Sequence, residues 1–373
     1  MIYLDHAATT PVKPEALQAA WPWLTNEFGN PSSTHELGHR SHTALEDARA
    51  RVAKFFNARP AEITFTSGGT ESDNLAIIGL ALANPRGKHI VSARTEHEAV
   101  LSAIDFLERV HGFETSWLEL DEFGQIINLA GPLRPDTTLV SLMTVNNEIG
   151  TVHNIAKLAA EAHQVGALFH TDAVQAVGWV DLDLKKLGVD ALSISGHKFG
   201  APKGSGVLVL RSGAHAEPLI HGGGQESGLR SGTENVAWAV AVATALEALA
   251  PAEQEAVRVY KLRNDFIVEV LAQLPNAKLT GHPVNRSANI ASFTFEGVSG
   301  EAVLLELERR GVIVSSGSAC AAGSDEPSHV LLAIGIQPEV AQTAIRFSFS
   351  HETTAQELAD AASALVDSVN VFI

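Results

Sequence analysis

The sequence predicts an α/β fold: a mostly parallel sheet flanked by helices, followed by a smaller α+β region. Two patterns and one size argument carry that expectation. Short β-rich runs alternate with segments of helical periodicity, and the alternation stops after the helical region through Ala250 and Arg258. At 373 residues the chain also exceeds the size at which a single core stops growing. In order, Ile63–Thr66 reads as a strand followed by a helix from near Thr70. His89–Ser92 precedes a helix carrying Val100, Ile104, Leu107 and His111 on one face. The run 138–144 leads to Ile155, Leu158, Ala159 and Ala162 at helical spacing, then to a strand over 167–171. Ligands of such sheets gather at the carboxyl ends of the strands. The later region reads as a strand over 289–295, a helix over 299–310 ending at Gly311, and a short strand over 312–314. A further strand over 344–349 precedes the capping box Thr354-x-x-Glu357. There is no internal repeat and no low-complexity linker.

Composition excludes several function classes. Hydrophobic residues make up 45% and charged residues 18%, the balance of a folded protein and not a disordered one. A net charge of -17 with no basic stripe argues against nucleic acid as a partner. The longest apolar stretch, 236–250, is Ala-rich, contains Thr244 and Glu247, and falls short of the ~20 residues a bilayer needs, so it reads as a buried helix. The amino terminus lacks the basic and apolar regions of a signal peptide. One cysteine cannot close an internal disulfide, which fits a reducing, cytoplasmic compartment.

That cysteine, Cys320, lies in Ser315-Ser316-Gly317-Ser318-Ala319-Cys320-Ala321-Ala322-Gly323-Ser324, before Asp325-Glu326-Pro327. A buried free cysteine is usually a small hydrophobe. Here the small and polar neighbours predict a mobile surface loop that can carry a thiol to a centre built elsewhere. Two other motifs point away from the chemistry they imitate. His35-Glu36-Leu37-Gly38-His39 matches H-E-x-x-H, but Gly38 weakens a helix by ~1 kcal/mol relative to Ala and no third ligand is signposted. His221-Gly222-Gly223-Gly224 looks like a lipase oxyanion loop, yet the chain has no G-x-S-x-G elbow.

A stronger constellation is spread over strand ends. Ser67-Gly68-Gly69-Thr70-Glu71-Ser72 sits between a strand and a helix, where backbone N–H groups and the helix dipole make an anion site. His170-Thr171-Asp172-Ala173-Val174-Gln175 ends another strand with a carboxylate, and Ser193-Ile194-Ser195-Gly196-His197-Lys198 places a lysine among small residues. Singly these are a turn, a turn former and a surface lysine. Together they answer the needs of pyridoxal phosphate: a lysine for covalent attachment, a carboxylate for the ring nitrogen and a phosphate cradle.

The order Asp-x-x-Gln, Ser-x-His-Lys and Ser-Ser-Gly-Ser-Ala-Cys, with Tyr3-Leu4-Asp5-His6-Ala7-Ala8-Thr9-Thr10 ahead of it, resembles the cysteine desulfurases of the class V aminotransferase superfamily. Phe28-Gly29-Asn30-Pro31-Ser32-Ser33, Thr95-Glu96-His97, Val145-Asn146-Asn147-Glu148-Ile149-Gly150 and Leu229-Arg230-Ser231-Gly232-Thr233 follow the family's order, so the resemblance covers essentially the whole chain. The form of the cysteine loop is similar to that of the iron–sulfur-cluster branch.

The resemblance implies a pyridoxal-phosphate-dependent transferase of fold type I. A large domain over 13–255 would hold a seven-stranded sheet, and a small domain over 1–12 and 256–373 would carry the cysteine loop, about 315–330. It further implies that Lys198 holds the cofactor and moves the substrate's α-proton, that Asp172 pairs with the ring nitrogen, and that Gln175 bonds the ring's phenolic oxygen. His97 would stack on the ring and shuttle protons. Gly69, Thr70, Ser195 and His197 would hold the phosphate, with Thr233 reaching in from the second subunit of a homodimer. Asn147 would contact cofactor or substrate, Arg346 would fork onto the substrate carboxylate, and Asn30 would assist there. Cys320 would attack the sulfur of L-cysteine, leaving L-alanine and a persulfide destined for a sulfur-acceptor or iron–sulfur scaffold protein. No metal site is implied beyond contact of Cys320 with an iron–sulfur cluster. The end of the chain at Ile373, short of the tail many members carry, leaves the acceptor open. A plain class V aminotransferase or a C–S or selenocysteine lyase would use the same Lys198 and Asp172 without Cys320; a cofactor-free scaffold protein would need neither.

Overall fold

Seven strands form the largest sheet, in the spatial order Ile63–Thr66, Gly206–Leu210, Ala191–Ser195, Leu168–Asp172, Thr137–Ser141, His89–Ser92 and Glu114–Trp117. The computed structural model that shows this describes residues 1–84, 86–249, 252–316 and 326–373. Only Gly206–Leu210 runs antiparallel to its neighbours. The remaining pairings are parallel, as the alternation of short strands and helices predicts.

The sheet is covered on both faces because its strands are apolar on both sides. Val91, Val140, Phe169, Leu192, Ile194, Val207 and Val209 point into a core shared with helices Pro14–Thr25, Glu36–Phe55 and Val236–Glu247. Their strand neighbours Ile90, Leu139, Ala191, Leu208 and Leu210 point the other way, against helices Gly69–Ala83 and Glu98–His111. The period of two along each strand divides the side chains between the layers.

A second, antiparallel sheet contains Ser315–Ser316, Ile345–Ser348, Ile290–Phe295 and Ala277–Leu279, in that order. Its core holds Phe266, Phe293, Phe347 and Phe349, with the Phe266 ring 5.0 Å from that of Phe347. Helices Ala252–Gln273 and Ala355–Asn370 pack on it. The N-terminal segment joins this layer: Ile2–Tyr3 pairs in parallel with Val312–Ile313, and Leu4 enters its core.

Sequence signals and structure agree closely at several ends. Ser299 caps the helix Gly300–Arg309, Gly311 follows with φ 80°, and Thr354 and Glu357 form their reciprocal capping box. The apolar run 236–250 is a helix only to Glu247, and a separate helix, Ala252–Gln273, carries Arg258 well inside it. Strands Gly206–Leu210, Glu114–Trp117 and Ala277–Leu279 and helices Pro14–Thr25 and Glu36–Phe55 add to the elements read from pattern. Among the described residues no helix is long and apolar enough to cross a membrane.

Candidate active site

Five strands of the large sheet deliver chemistry-bearing residues from their carboxyl ends to one cavity of about 300 Å³. Its lining includes Gly69 and Thr70 after Ile63–Thr66, His97 after His89–Ser92, and Asn147 after Thr137–Ser141. Asp172 and Gln175 come at and after Leu168–Asp172; Ser195, His197 and Lys198 come at and after Ala191–Ser195. Arg346 closes the cavity from the second sheet. Ten residues singled out in the sequence are thereby brought together, as the rule for open parallel sheets leads one to expect.

The turn at Gly69 is built for close approach. A Cβ added there would lie 2.9 Å from Val174 Cγ2 and 3.2 Å from Ser195 Cβ, so a side chain would fill the cradle. The helix Gly69–Ala83 begins at this point, and the first N–H groups of a helix have no intrahelical partners. Behind it, Gly206 approaches the backbone of Gly68, to which a Cβ would come within 2.6 Å.

Lys198 ends a single 3-10 turn, Gly196–Lys198, directly after its strand. Its Nζ donates to the carbonyls of Ala7 at 2.5 Å and Ala8 at 2.9 Å. Gln175 Nε2 also donates to Ala7 O, at 2.9 Å, so in this state the glutamine is engaged by the N-terminal segment. His197 Nδ1 bonds Thr9 Oγ1 at 3.1 Å; burial and the charges of Lys198 and Lys203 hold its pKa down to about 4, leaving a neutral ring. His97 caps the helix Glu98–His111, its Nδ1 accepting from Ala99 N at 3.1 Å, which puts the proton of the neutral ring on Nε2.

Asp172 accepts from Val174 N at 2.8 Å, and burial raises its pKa while His97 and Lys198 oppose the rise. Beside it lies a residue that sequence reading missed. Asp73 is 1% exposed, lines the cavity, and its Oδ1 has no hydrogen-bond partner among the described residues, although His170 Nε2 is 3.6 Å away. Burial and the Asp172 charge push its pKa well up. Its signal was available, since Asp73 follows Thr70 by three positions on one helix and so shares its face. Glu96, raised by burial, and Glu148, raised by burial against the pull of a Ser328 hydrogen bond, complete a buried acidic surround.

Arg346 is 1% exposed. Nη1 donates to Asn147 O at 2.9 Å, Nη2 pairs with Asp5 Oδ1 at 2.8 Å, and Nε has no partner among the described residues. An arginine that lines the cavity can bind a carboxylate.

Two predicted residues stand apart from this cavity. Asn30 is exposed and its Oδ1 accepts from Ser32 N at 2.9 Å. Thr233 is exposed on the wall of a different cavity of about 230 Å³, with Ser67, Gly206 and Arg230. Cys320 lies outside the described residues. The chain on either side of its segment is described: Ser315 pairs with Arg346 in the second sheet, and the Ser328 hydroxyl donates to Glu148. His35 caps the helix Glu36–Phe55, its Nδ1 accepting from Gly38 N at 3.2 Å. No group of three His, Cys, Asp or Glu among the described residues could hold a metal ion.

Known proteins share this arrangement of elements. The chain is 47% identical to a cysteine desulfurase IscS of Dictyoglomus turgidum over 361 residues, 96% of this chain and 91% of that protein. A solved NifS-like protein superposes with a TM-score of 0.92 at 33% identity, covering 100% of both chains. SspA, solved in complex with cysteine, superposes with a TM-score of 0.84 at 35% identity over 95% of this chain and 100% of that one. Residues 2–360 match the family described as aminotransferase class-V, and the chain belongs to that family.

Proposed function

We propose that this protein is a cysteine desulfurase, a transferase of pyridoxal-phosphate fold type I that moves sulfur from L-cysteine to Cys320 and releases L-alanine. The observation that carries the reading is the meeting of Lys198, Asp172, His97 and the Gly69 turn in one cavity closed by Arg346. A Gly69 cradle that a Cβ would fill suits a phosphate, and a buried Asp172 suits a ring nitrogen, so the residues present fit pyridoxal phosphate. When bound, that cofactor supplies an electron sink for carbon–hydrogen and carbon–sulfur bond cleavage.

The chain's own residues then have these parts. Gly69, Thr70, Ser195 and His197 would hold the phosphate; with Nδ1 on Thr9 Oγ1, the neutral His197 keeps Nε2 available. Lys198 would hold the cofactor covalently, and its amine would take the substrate's α-proton. Gln175, whose Nε2 donates to Ala7 O, would bond the ring's phenolic oxygen. His97, with its proton on Nε2, delivers and collects protons at the substrate or the Cys320 thiol. Arg346 takes the substrate carboxylate on its remaining donors, flanked by Asn147. Sulfur transfer balances as L-cysteine plus the Cys320 thiol giving L-alanine plus the Cys320 persulfide. The described flanks of the Cys320 segment, at Arg346 and at Glu148, support delivery of that thiol to this cavity.

The exposure of Thr233 outside its own chain's cavity supports its use by a second subunit of a homodimer, with Asn30 assisting at the substrate. A large domain over 13–255, a small one over 1–12 and 256–373, a cytoplasmic setting and a sulfur-acceptor or iron–sulfur scaffold partner belong to the same reading. The test is product stoichiometry: with pyridoxal phosphate, L-cysteine and reductant, purified protein gives equimolar sulfide and L-alanine, and Cys320→Ser gives almost none. Full sulfur release by Cys320→Ser would assign the protein to lyase chemistry instead.

A further inference from the structure

The N-terminal segment is bound into the site along its whole length. Ser348 N donates to Leu4 O at 2.7 Å, Ala7 N donates to Ser348 Oγ at 2.8 Å, and Thr10 N donates to His197 O at 3.0 Å. From this strap Ala7 O and Ala8 O meet Lys198, Thr9 meets His197, and the Asp5 carboxylate meets Arg346 at 2.8 Å. The strap's anchors are backbone groups or neutral side chains except at Asp5, whose carboxylate pairs with a guanidinium buried in the cavity wall.

An arginine so buried is costly to leave without a counter-charge. Asp5 provides one in direct contact, and Glu148, a further acid that attracts Arg346, accepts from Ser328 without touching the guanidinium's Nη2. A ligand carboxylate reaching Arg346 from the cavity must therefore share one guanidinium with a carboxylate that is already there. We infer that Asp5 is an internal competitor of the substrate carboxylate, a specificity-determining residue that lowers the site's affinity for carboxylate ligands. The inference rests on the proposed role of Arg346. Its chemical consequence concerns turnover: substrate and product of the proposed reaction carry the same carboxylate, and tempering Arg346 lets the product leave.

The experiment is calorimetric titration of the cofactor-loaded enzyme with 3-mercaptopropionate, which has a carboxylate and a thiol but no amine, and with its neutral amide. Asp5→Asn keeps the oxygen that accepts from Arg346 and removes the charge; Asp5→Ser is the second variant should the first fold poorly. The expected result is about five- to tenfold tighter binding of the carboxylate, the size of a partly screened charge pair, with the amide changed less than about twofold. Unchanged or weaker carboxylate binding, with the amide unaffected, overturns the inference. Arg346→Gln separates the two readings: it abolishes the preference for carboxylate over amide, and a preference that survives it overturns the role of Arg346 itself.

Discussion

At the residue scale the site is a set of groups whose ordinary behaviour is altered by what lies against them. His97 caps a helix with Nδ1, and the proposed proton transfer would use Nε2, so the two tasks can be separated. Asparagine keeps an N-cap acceptor, so His97→Asn should leave thermal stability near wild type while kcat falls about 100-fold or more, the usual share of a proton-transfer group. A drop in melting temperature that tracks the loss of rate would reduce His97 to a structural cap. Residues legible in the sequence were those whose type names a task at a strand end: Lys198, Asp172, His97 and the Gly69 turn. Asp5 and Asp73 were not, because their environment comes from distant chain. Asp5 meets Arg346 across 341 positions, and Asp73 becomes unusual only when Asp172 and His170 enclose it.

At the element scale, the carboxyl ends of parallel strands aim the site, and the turn before helix Gly69–Ala83 is its tightest joint. Gly206, on the antiparallel strand, lies under that turn with no space for a methyl group. Gly206→Ala should push Ser67 to Thr70 outward, costing about 1–3 kcal/mol by overpacking and weakening pyridoxal phosphate binding, as measured by denaturation of the apo-protein and by cofactor titration. Unaltered cofactor affinity would show that the turn does not form the phosphate cradle. A second joint ties the same strand edge: Glu226 takes Arg49 on both oxygens at 2.6 and 2.9 Å and also accepts from Phe65 N. Glu226→Ala leaves the buried Arg49 guanidinium to the part-exposed Glu46 and the Ile63 carbonyl, and should cost about 2–4 kcal/mol in urea denaturation. The periodic strands and helices are readable from pattern, whereas Gly206–Leu210 is not, since its antiparallel entry is a matter of tertiary pairing. The 236–250 run shows a similar limit: apolarity marked burial, and a loss of periodicity did not mark the break after Glu247.

At the scale of the whole molecule, burial couples stability to pH. Burial holds His170 down to about 3 and His153 to about 4, from an ordinary value of 6.5. Both are neutral in the folded protein, and both take up a proton near 6.5 once unfolded. Their contribution is complete above pH 6.5 and is lost as pH falls from 6.5 toward 4 and then 3. Asp73 and Glu96, raised by burial, act in the opposite sense, because the folded protein keeps their protons at pH values where the unfolded chain releases them. Replacing one histidine isolates its share: His153→Gln should flatten the fall in unfolding free energy between pH 6.5 and 4 by up to ~1.4 kcal/mol per pH unit. An unchanged slope would mean that His153 is already protonated in the fold.

The most direct test of the account is intact-protein and peptide mass spectrometry after a single turnover with L-cysteine in the absence of reductant. The account predicts that the cofactor-loaded protein gains one sulfur atom, on the peptide containing Cys320, with one L-alanine released, and that Lys198→Ala gains none. Release of alanine or sulfide with no sulfur retained on Cys320 would contradict the persulfide route and leave this cavity to a lyase or an aminotransferase.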